Sequence, residues 1–183
     1  TIGIPTWNRS KELIECLNSI NSQLHGNTNL INCTEILISN NASTDNTKSK
    51  VLNYSSQYPD LNITYVEHLK NIGFDRNVDN IFKKAKGKYV WTLSDDDLLK
   101  ENSIKLLLEY LFNFKKEINL IYVNYQSFDD FSYELINSKN IFDKVKKTKY
   151  YNNYIEMYND WGQLGTSLLS VLIIKKQTWN YLI

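Results

Sequence analysis

The chain has 183 residues, of which 42% are hydrophobic and 22% are charged, which is enough for one globular domain with a buried core. Its 21 basic and 20 acidic residues leave a net charge of +1, which excludes the strongly basic surface typical of nucleic-acid-binding proteins. Two cysteines, Cys16 and Cys33, are too few for a disulfide framework, and no apolar run approaches the roughly 20 residues of a membrane span.

Hydrophobic periodicity predicts strands and helices that alternate along the chain. The expected strands cover residues 1–5, 34–39, 62–68, 89–94, 118–126 and 167–174. The expected helices cover residues 10–24, 43–57, 75–87, 101–114 and about 149–158, with another beginning at Lys175. Alternation of this kind indicates βαβ units, so we predict a three-layer α/β/α sandwich around a mainly parallel sheet.

Two residues are expected to mark helix ends. Ser10 precedes the first apolar-periodic run and is predicted to cap that helix at its N-terminus. Gly87 follows the third helical run, where glycine is the residue expected just past a helix end.

Polar side chains follow each of the first four predicted strands. The four segments are PTWNRS, SNNASTDNT, HLKNIGFDRN and SDDDLL. Ligands of open α/β sheets bind beyond the carboxyl ends of the strands, so these segments predict a pocket for a polar ligand. The alternative is that they are ordinary solvated loops.

Three consecutive aspartates, Asp95, Asp96 and Asp97, follow the fourth predicted strand. Neighbouring carboxylates repel one another, and their burial is costly unless a cation neutralises them. Mg²⁺ and Mn²⁺ prefer carboxylate and phosphate oxygens, so a divalent ion at Asp96 would bridge the protein to a diphosphate. Neighbours in an extended segment point in opposite directions, so we expect only one or two of the three to contact the ion. The alternative for Asp97 is a capping role just before Glu101.

Four segments, in this order, resemble the family 2 glycosyltransferases of the GT-A fold over residues 1–125: IPTWNR, ILISNNASTDNT, NIGFDRN and AKGKYVWTLSDDD. The resemblance implies an inverting, metal-dependent transfer of a sugar from a nucleoside diphosphate donor to a glycan or lipid-linked acceptor, with Mn²⁺ or Mg²⁺ as the cofactor. It also implies a role in bacterial surface polysaccharide synthesis, in the cytoplasm or at the inner face of the membrane. Peripheral membrane association would then involve parts of the protein outside this sequence.

The resemblance assigns donor-binding residues in the first two loops. PTWN resembles the segment that packs beside the nucleobase and ribose, which makes Pro5, Thr6 and Trp7 candidate contacts. Asn40 and Asn41 stand where the family commonly has an acidic contact to the base. An amide both donates and accepts hydrogen bonds, so either residue has the groups needed to read a pyrimidine edge.

Further candidates follow the third and fourth strands. Arg76 has two interpretations: contact with the diphosphate, or an ion pair with Asp75 or Asp79. The resemblance places the metal-binding aspartate at Asp96, and Asp97 is a candidate for a second metal ligand. The remaining donor-site positions that it implies are Ser94, where many members have Asp, and Asp95, near the ribose and metal. In the loop after the second strand, Asp45 is expected to order the loop rather than touch the donor.

No catalytic base is assigned. The resemblance implies an Asp or Glu base well after the strand TSLLSVLII, so we expect it downstream of Ile183. We expect a single GT-A domain, truncated at its C-terminus, with residues 1–125 as the donor-binding half and 126–183 as the start of the acceptor half. Asp160 and Trp161 are candidates for the acceptor side, although Trp161 is equally consistent with core packing.

Two other functions remain open. A non-catalytic nucleotide-binding domain is favoured by the amides at Asn40 and Asn41 and by the unassigned base. A nucleotidyltransferase would need a glycine-rich phosphate loop after the first strand, and PTWNRS contains no glycine.

Overall fold

The structure, a computed structural model, describes residues 1–126, 149–161 and 169–179. The strands are β1 (Ile2–Thr6), β2 (Ile36–Asn40), β3 (Ile63–Glu67), β4 (Tyr89–Thr92), β5 (Leu120–Tyr122) and β6 (Leu172–Lys175). The helices are α1 (Ser10–Leu24), α2 (Thr28–Cys33), α3 (Thr47–Gln57), α4 (Phe74–Lys84), α5 (Ser103–Asn113), α6 (Tyr154–Trp161) and α7 (Lys176–Trp179). A short 3₁₀ helix covers Leu169–Val171.

The six strands form one sheet in the order β3-β2-β1-β4-β6-β5. β1 is parallel to both β2 and β4, and β3 is parallel to β2, whereas β6 is antiparallel to both β4 and β5. Thr6 lies opposite Asn40, which lies opposite Glu67, so β1, β2 and β3 end together at one edge. The predicted, mainly parallel sheet is confirmed.

Helices cover both faces of the sheet because successive residues of each buried strand point to opposite sides. Ile36 and Ile38 of β2 pack in the cluster that contains the apolar side chains of α1 and α3. Leu37, between them, packs in the cluster that contains Val78, Ile81 and Phe82 of α4. The three-layer α/β/α arrangement is therefore confirmed. Within the described ranges, no helix has both the length and the apolar composition needed to cross a bilayer.

A buried polar pair fixes α4 to β2 next to the edge where the strands end. The Ser39 hydroxyl donates a hydrogen bond to Asn77 Oδ1 at 2.7 Å, and the Asn77 amide donates to the Ser39 carbonyl at 3.0 Å. Both residues are buried, so each polar group needs a partner inside the protein, and the reciprocal bonds supply it. This pair sets the position of the first turn of α4.

Both predictions about helix ends were wrong. α1 begins at Ser10 itself, and the N-cap residue is Arg9, whose side chain makes no capping hydrogen bond. Gly87 lies beyond the end of α4 and does not have a positive φ. It is required instead by the close approach of Thr1, whose backbone nitrogen would lie 2.5 Å from a Cβ at Gly87.

The remaining differences concern bounds and one missed helix. α2 was not predicted because its six residues, TNLINC, contain no buried side chain and so no apolar periodicity to detect. The fifth strand is shorter than residues 118–126, and the helix expected near 149–158 runs from Tyr154 to Trp161. Part of the predicted strand 167–174 lies outside the described residues, which include its end in β6.

Candidate functional site

The loop after β1 turns sharply at the edge where the strands end. Pro5 and Thr6 are buried, whereas Trp7 keeps 53% of its surface exposed. Asn8 adopts a left-handed conformation with φ of 54°, which is tolerated better by Asn than by most residues. The Asn8 side-chain oxygen accepts a hydrogen bond from the Thr44 amide at 2.7 Å. The loop after β1 is therefore joined to the loop after β2, with the Trp7 ring on the outside.

Asn40, at the end of β2, is fully buried. Its amide nitrogen donates a hydrogen bond to the Tyr65 hydroxyl at 2.7 Å, and its side-chain oxygen accepts one from the Ser43 amide at 3.0 Å. The side chain thus connects β2, β3 and the loop between β2 and α3.

Asn41 is also buried, and its side chain organises the loop before α4. The amide nitrogen donates to Asn71 Oδ1 at 3.0 Å, and the side-chain oxygen accepts from the Ile72 amide at 2.8 Å. Asn40 and Asn41, predicted as donor contacts, therefore already use their amides within the protein. Their contact with a base stays a prediction.

Asp45 joins two helix N-termini. One carboxylate oxygen accepts hydrogen bonds from the backbone amide and hydroxyl of Thr47, in the first turn of α3, and the other accepts one from the Ser10 amide of α1. Desolvation alone would raise the pKa of Asp45, but the hydrogen bonds from Thr47 and Ser10 outweigh it and lower the pKa. As predicted, the side chain orders its loop, and it also supplies the cap that Ser10 does not make for itself.

Arg76 lies in the first turn of α4 and is exposed. Of its two suggested partners, Asp79 pairs with Lys83 at 2.5 Å and accepts a hydrogen bond from the Trp179 indole at 3.1 Å. In the part of the chain that the structure describes, Arg76 forms no ion pair with either Asp75 or Asp79. Its guanidinium remains available to an anionic ligand.

The aspartates after β4 occupy a tight turn. The Asp97 amide donates to the Ser94 carbonyl at 3.2 Å, and the Ser94 amide donates to the Ser170 hydroxyl at 2.8 Å. Burial raises the pKa of Asp97, and a hydrogen bond from Ser170 opposes that effect. The capping alternative for Asp97 was wrong, because α5 begins only at Ser103 and has Asn102 in its N-cap position.

Arg9 holds the other two carboxylates together. Its Nη1 donates a hydrogen bond to Asp96 Oδ2 and lies 3.4 Å from Asp95 Oδ1. Asp95 is only 5% exposed, and burial raises its pKa despite the opposing effects of Thr6 and Arg9. Burial also acts to raise the pKa of Asp96, but the Ser94 hydroxyl and the Arg9 charge outweigh it and lower the pKa. One arginine is therefore the cation shared by a buried and an exposed carboxylate.

The carboxylates after β4 fit a divalent cation that takes only one or two of its ligands from the protein. Among the described residues, no three His, Cys, Asp or Glu side chains are placed to surround a metal ion. Two carboxylates, Asp95 and Asp96, already share one cationic group, and Asp97 interacts with Ser170 instead. Mg²⁺ and Mn²⁺ commonly bind through one or two carboxylates and take their other ligands from water and substrate phosphates. Asp95 and Asp96 satisfy that requirement.

Two further features lie apart from these loops. Asp160 and Trp161 are the last two residues of α6, and their side chains lie outside the described part of the structure. A cavity of about 390 Å³ lies near the amino ends of β1 and β4, and side chains of α5 form much of its wall. None of the predicted site residues whose side chains the structure describes lines that cavity.

Three residues that the sequence did not single out contribute to the site. Asn8 shapes the loop after β1, Arg9 bridges the carboxylates, and Ser170 supports the acidic turn from the segment before β6. A signal existed for Arg9, the only charged residue in PTWNRS. None existed for Ser170, because its partners are about 75 residues away in the chain.

Comparison with solved structures identifies the fold. The structure of S. aureus TarS 1-349 in complex with UDP-GlcNAc matches with a TM-score of 0.69 at 18% identity, covering 98% of this chain and 46% of the TarS 1-349 chain. The mannosyltransferase PcManGT from Pyrobaculum calidifontis, in complex with GDP-Man and Mn²⁺, matches with a TM-score of 0.67 at 17% identity, covering 99% of this chain and 45% of that one. The predicted GT-A fold is confirmed.

Comparison of sequences identifies the family. The abequosyltransferase RfbV of Salmonella typhimurium is 40% identical over 108 residues, which is 59% of this chain and 31% of RfbV. The chain thus spans about a third of the length of that curated relative. The sequence model of the protein family described as glycosyl transferase family 2 matches residues 1–174 of the chain. This match covers most of the chain, including all four loops at the strand ends, and the chain belongs to glycosyl transferase family 2.

Proposed function

We propose that this chain is the donor-binding part of a glycosyltransferase that takes a sugar from a nucleoside diphosphate sugar. The observation that carries the proposal is the pair Asp95 and Asp96, which share a single cationic partner at the carboxyl end of β4. Carboxylates placed there are suited to hold a divalent ion against a diphosphate.

The nucleoside would bind across the loops after β1 and β2. Trp7 offers an exposed ring for stacking on a base, and the buried Pro5 and Thr6 fix the backbone beneath it. Asn40 and Asn41 remain candidate contacts to the base, and their amides hold the neighbouring loops of this region in place. Base recognition through these loops is compatible with uridine or guanosine diphosphate sugars, which are bound in the TarS and PcManGT structures.

The diphosphate would lie between Arg76 and the acidic turn. Asp96 is the proposed principal ligand of Mn²⁺ or Mg²⁺, with Asp95 beside it, Asp97 as a second candidate and Ser94 orienting the Asp96 carboxylate. When bound, the metal would act as a Lewis acid that stabilises the negative charge of the departing diphosphate. Arg76 supplies an additional positive charge that has no carboxylate partner among the described residues.

The proposed acceptor is a glycan or a lipid-linked sugar. The donor sugar would be transferred to it with inversion, as a step of bacterial surface polysaccharide synthesis. The abequosyltransferase activity in the name of RfbV supports a sugar-transfer role in a bacterium. Asp160 and Trp161 remain acceptor-side candidates because they end α6, the helix that precedes β6. The inversion requires a base to take the acceptor proton, and we place that base outside the described residues.

Titration calorimetry tests the proposal directly. UDP-, GDP- and CDP-sugars are titrated into the wild-type chain with Mn²⁺ and with EDTA, and then into Asp96→Ala. We expect at least one donor to bind with Mn²⁺, and its affinity to fall by about 100-fold or more in EDTA and in Asp96→Ala, because the diphosphate loses its bridging cation.

Asp60→Ala is the matched control, since Asp60 is an exposed carboxylate in the turn between α3 and β3. It should bind the donor as the wild type does. Equal affinity with and without Mn²⁺, or in Asp96→Ala and wild type, would make the carboxylates structural and leave a metal-independent nucleotide-binding domain.

A further inference from the structure

Arg9 occupies the position that a bound cation would take between Asp95 and Asp96. One nitrogen, Nη1, interacts with both carboxylates, so the guanidinium neutralises them from a single point. Asp95 is buried, and an ionised buried carboxylate requires a compensating positive charge. In the chain alone, Arg9 supplies that charge.

The backbone around Arg9 is fixed, but its side chain is not. Asn8 before it accepts a hydrogen bond from the Thr44 amide at 2.7 Å, and the Ser10 amide after it donates to Asp45 at 3.1 Å. The Arg9 side chain itself is 50% exposed, and the described residues bind it only through Asp95 and Asp96. The guanidinium can therefore leave the carboxylates without any change in the loop that carries it.

A divalent ion and the Arg9 guanidinium cannot share the same carboxylate oxygens, because two cations at that distance repel one another. The planar guanidinium also pairs well with phosphate, through two parallel hydrogen bonds. The diphosphate of a donor bound at this metal would lie next to Asp96, within the region that Arg9 already reaches.

We propose that Arg9 is an exchangeable counter-ion: it neutralises Asp95 and Asp96 in the empty site and transfers to the donor diphosphate when the metal binds. The inference rests on the proposed donor site. It adds a donor-binding residue from the loop after β1, and it makes metal and nucleotide binding cooperative. Metal alone displaces Arg9 from Asp95 and Asp96, its anionic partners among the described residues, whereas metal with a diphosphate provides a new one.

The test compares Arg9→Met with Lys11→Met in two binding measurements. Lys11 is a matched control because its side chain is exposed and, in the described part of the chain, forms an ion pair with Glu15, one turn further along α1, and with no residue of the site. The first measurement is Mn²⁺ affinity without nucleotide, from the electron paramagnetic resonance signal of free Mn²⁺. The second measurement is the affinity for UDP, determined by equilibrium dialysis in EDTA and again at saturating Mn²⁺. The ratio of the two affinities gives the cooperativity between Mn²⁺ and UDP, and Mn²⁺–UDP complexes free in solution do not contribute because they are present on both sides of the membrane.

We expect Arg9→Met to bind Mn²⁺ alone about three- to tenfold more tightly than wild type, because the competing cation is gone. The gain in UDP affinity on adding Mn²⁺ should shrink by about tenfold, because the diphosphate loses the guanidinium. Lys11→Met should match wild type in both measurements. Arg9→Lys should restore Mn²⁺ affinity to the wild-type value but recover the cooperativity only in part, because an ammonium lacks the planar fork.

Two results would overturn the inference. Equal Mn²⁺ affinity in Arg9→Met and Lys11→Met would show that Arg9 does not compete with the metal. Weaker Mn²⁺ binding in a folded Arg9→Met would show that Arg9 orders the carboxylates instead. Either result leaves the donor site intact if Asp96→Ala still abolishes metal-dependent UDP binding. If the wild type binds neither Mn²⁺ nor UDP, the proposed function and the inference fail together.

Discussion

The loop after β2 and the turn after β4 lie at the same edge of the sheet and look equally polar in the sequence, but they use their polar groups differently. Asn40 and Asn41 are buried and bonded to groups of the protein itself. Asp95 and Asp96 depend on one half-exposed arginine. The loop after β2 uses its hydrogen-bonding groups to hold loops together. The turn after β4 has carboxylates whose counter-ion, Arg9, a bound cation can replace.

The difference distinguishes polar residues that bind a ligand from polar residues that hold the surrounding loops in place. Amides that are saturated inside a fold stabilise it but have little capacity left for a ligand. An exposed carboxylate such as Asp96, whose ion pair with Arg9 is open to solvent, contributes little to stability and remains available to a ligand. Substitutions in the two regions should therefore have opposite signatures, with loss of stability in the first and loss of ligand binding in the second.

Asn41→Ala should have the largest effect on stability. The substitution removes hydrogen bonds to Asn71 and Ile72 and leaves the partly buried Ile72 amide without its acceptor. We expect the free energy of unfolding to fall by about 2–3 kcal/mol, from the lost hydrogen bonds and an unsatisfied, partly buried donor. Urea denaturation measures this directly.

Asn46→Ala is the control for that measurement. Asn46 is exposed, and its side chain makes no capping bond to α3. Its free energy of unfolding should change by less than about 0.5 kcal/mol. If Asn41→Ala has an equally small effect but weakens nucleotide binding, Asn41 belongs to the ligand site rather than to its support.

Trp7→Ala should act on binding alone. The ring is 53% exposed, so its removal should leave the midpoint of urea denaturation almost unchanged. Stacking of a base on an aromatic ring is worth roughly 1–3 kcal/mol, so UDP affinity at saturating Mn²⁺ should fall by about tenfold. Trp7→Tyr should retain most of that affinity. A marked loss of stability in Trp7→Ala, with UDP affinity unchanged, would assign the ring to packing.

The sequence predicted the sheet and the acidic turn because both rest on local patterns. Alternating apolar runs gave β1 to β4 and their helices, and three adjacent aspartates drew attention to the end of β4. The division of roles among polar residues was not predictable. Whether Asn41 faces a ligand or Asn71 depends on a contact 30 residues away, and the pairing of Arg9 with Asp96 spans 87 residues.

Asp45→Asn should have a smaller effect that depends on pH. The pKa of Asp45 in the folded protein lies below its usual 3.8, so its carboxylate stabilises the fold above that value, and the stabilisation is lost as the pH falls through the lowered pKa. An amide can accept only at one of its two positions, so one capped helix end is lost. We expect a cost of about 1 kcal/mol at pH 6 that decreases as the pH is lowered through the pKa of Asp45 toward pH 2.

Urea denaturation of wild type and Asp45→Asn at both pH values measures the difference. Asp60→Asn is the control, since it changes an exposed carboxylate outside the helix N-termini, and its effect should be small at both pH values. A cost for Asp45→Asn that is the same at pH 6 and pH 2 would mean that the geometry of the side chain, and not its charge, holds α1 and α3 together.

Asp96→Asn should have the smallest effect on stability, although Asp96 is central to the proposed metal site. The Asp96 side chain is 46% exposed, and exposed ion pairs contribute little to folding. Arg9 keeps Asp95 as a partner, and Asn retains an oxygen that can accept the hydrogen bond from Ser94. The free energy of unfolding in EDTA should change by less than about 0.5 kcal/mol. A loss comparable to that of Asn41→Ala would show that the acidic turn is part of the support, and the contrast between the two regions would no longer hold.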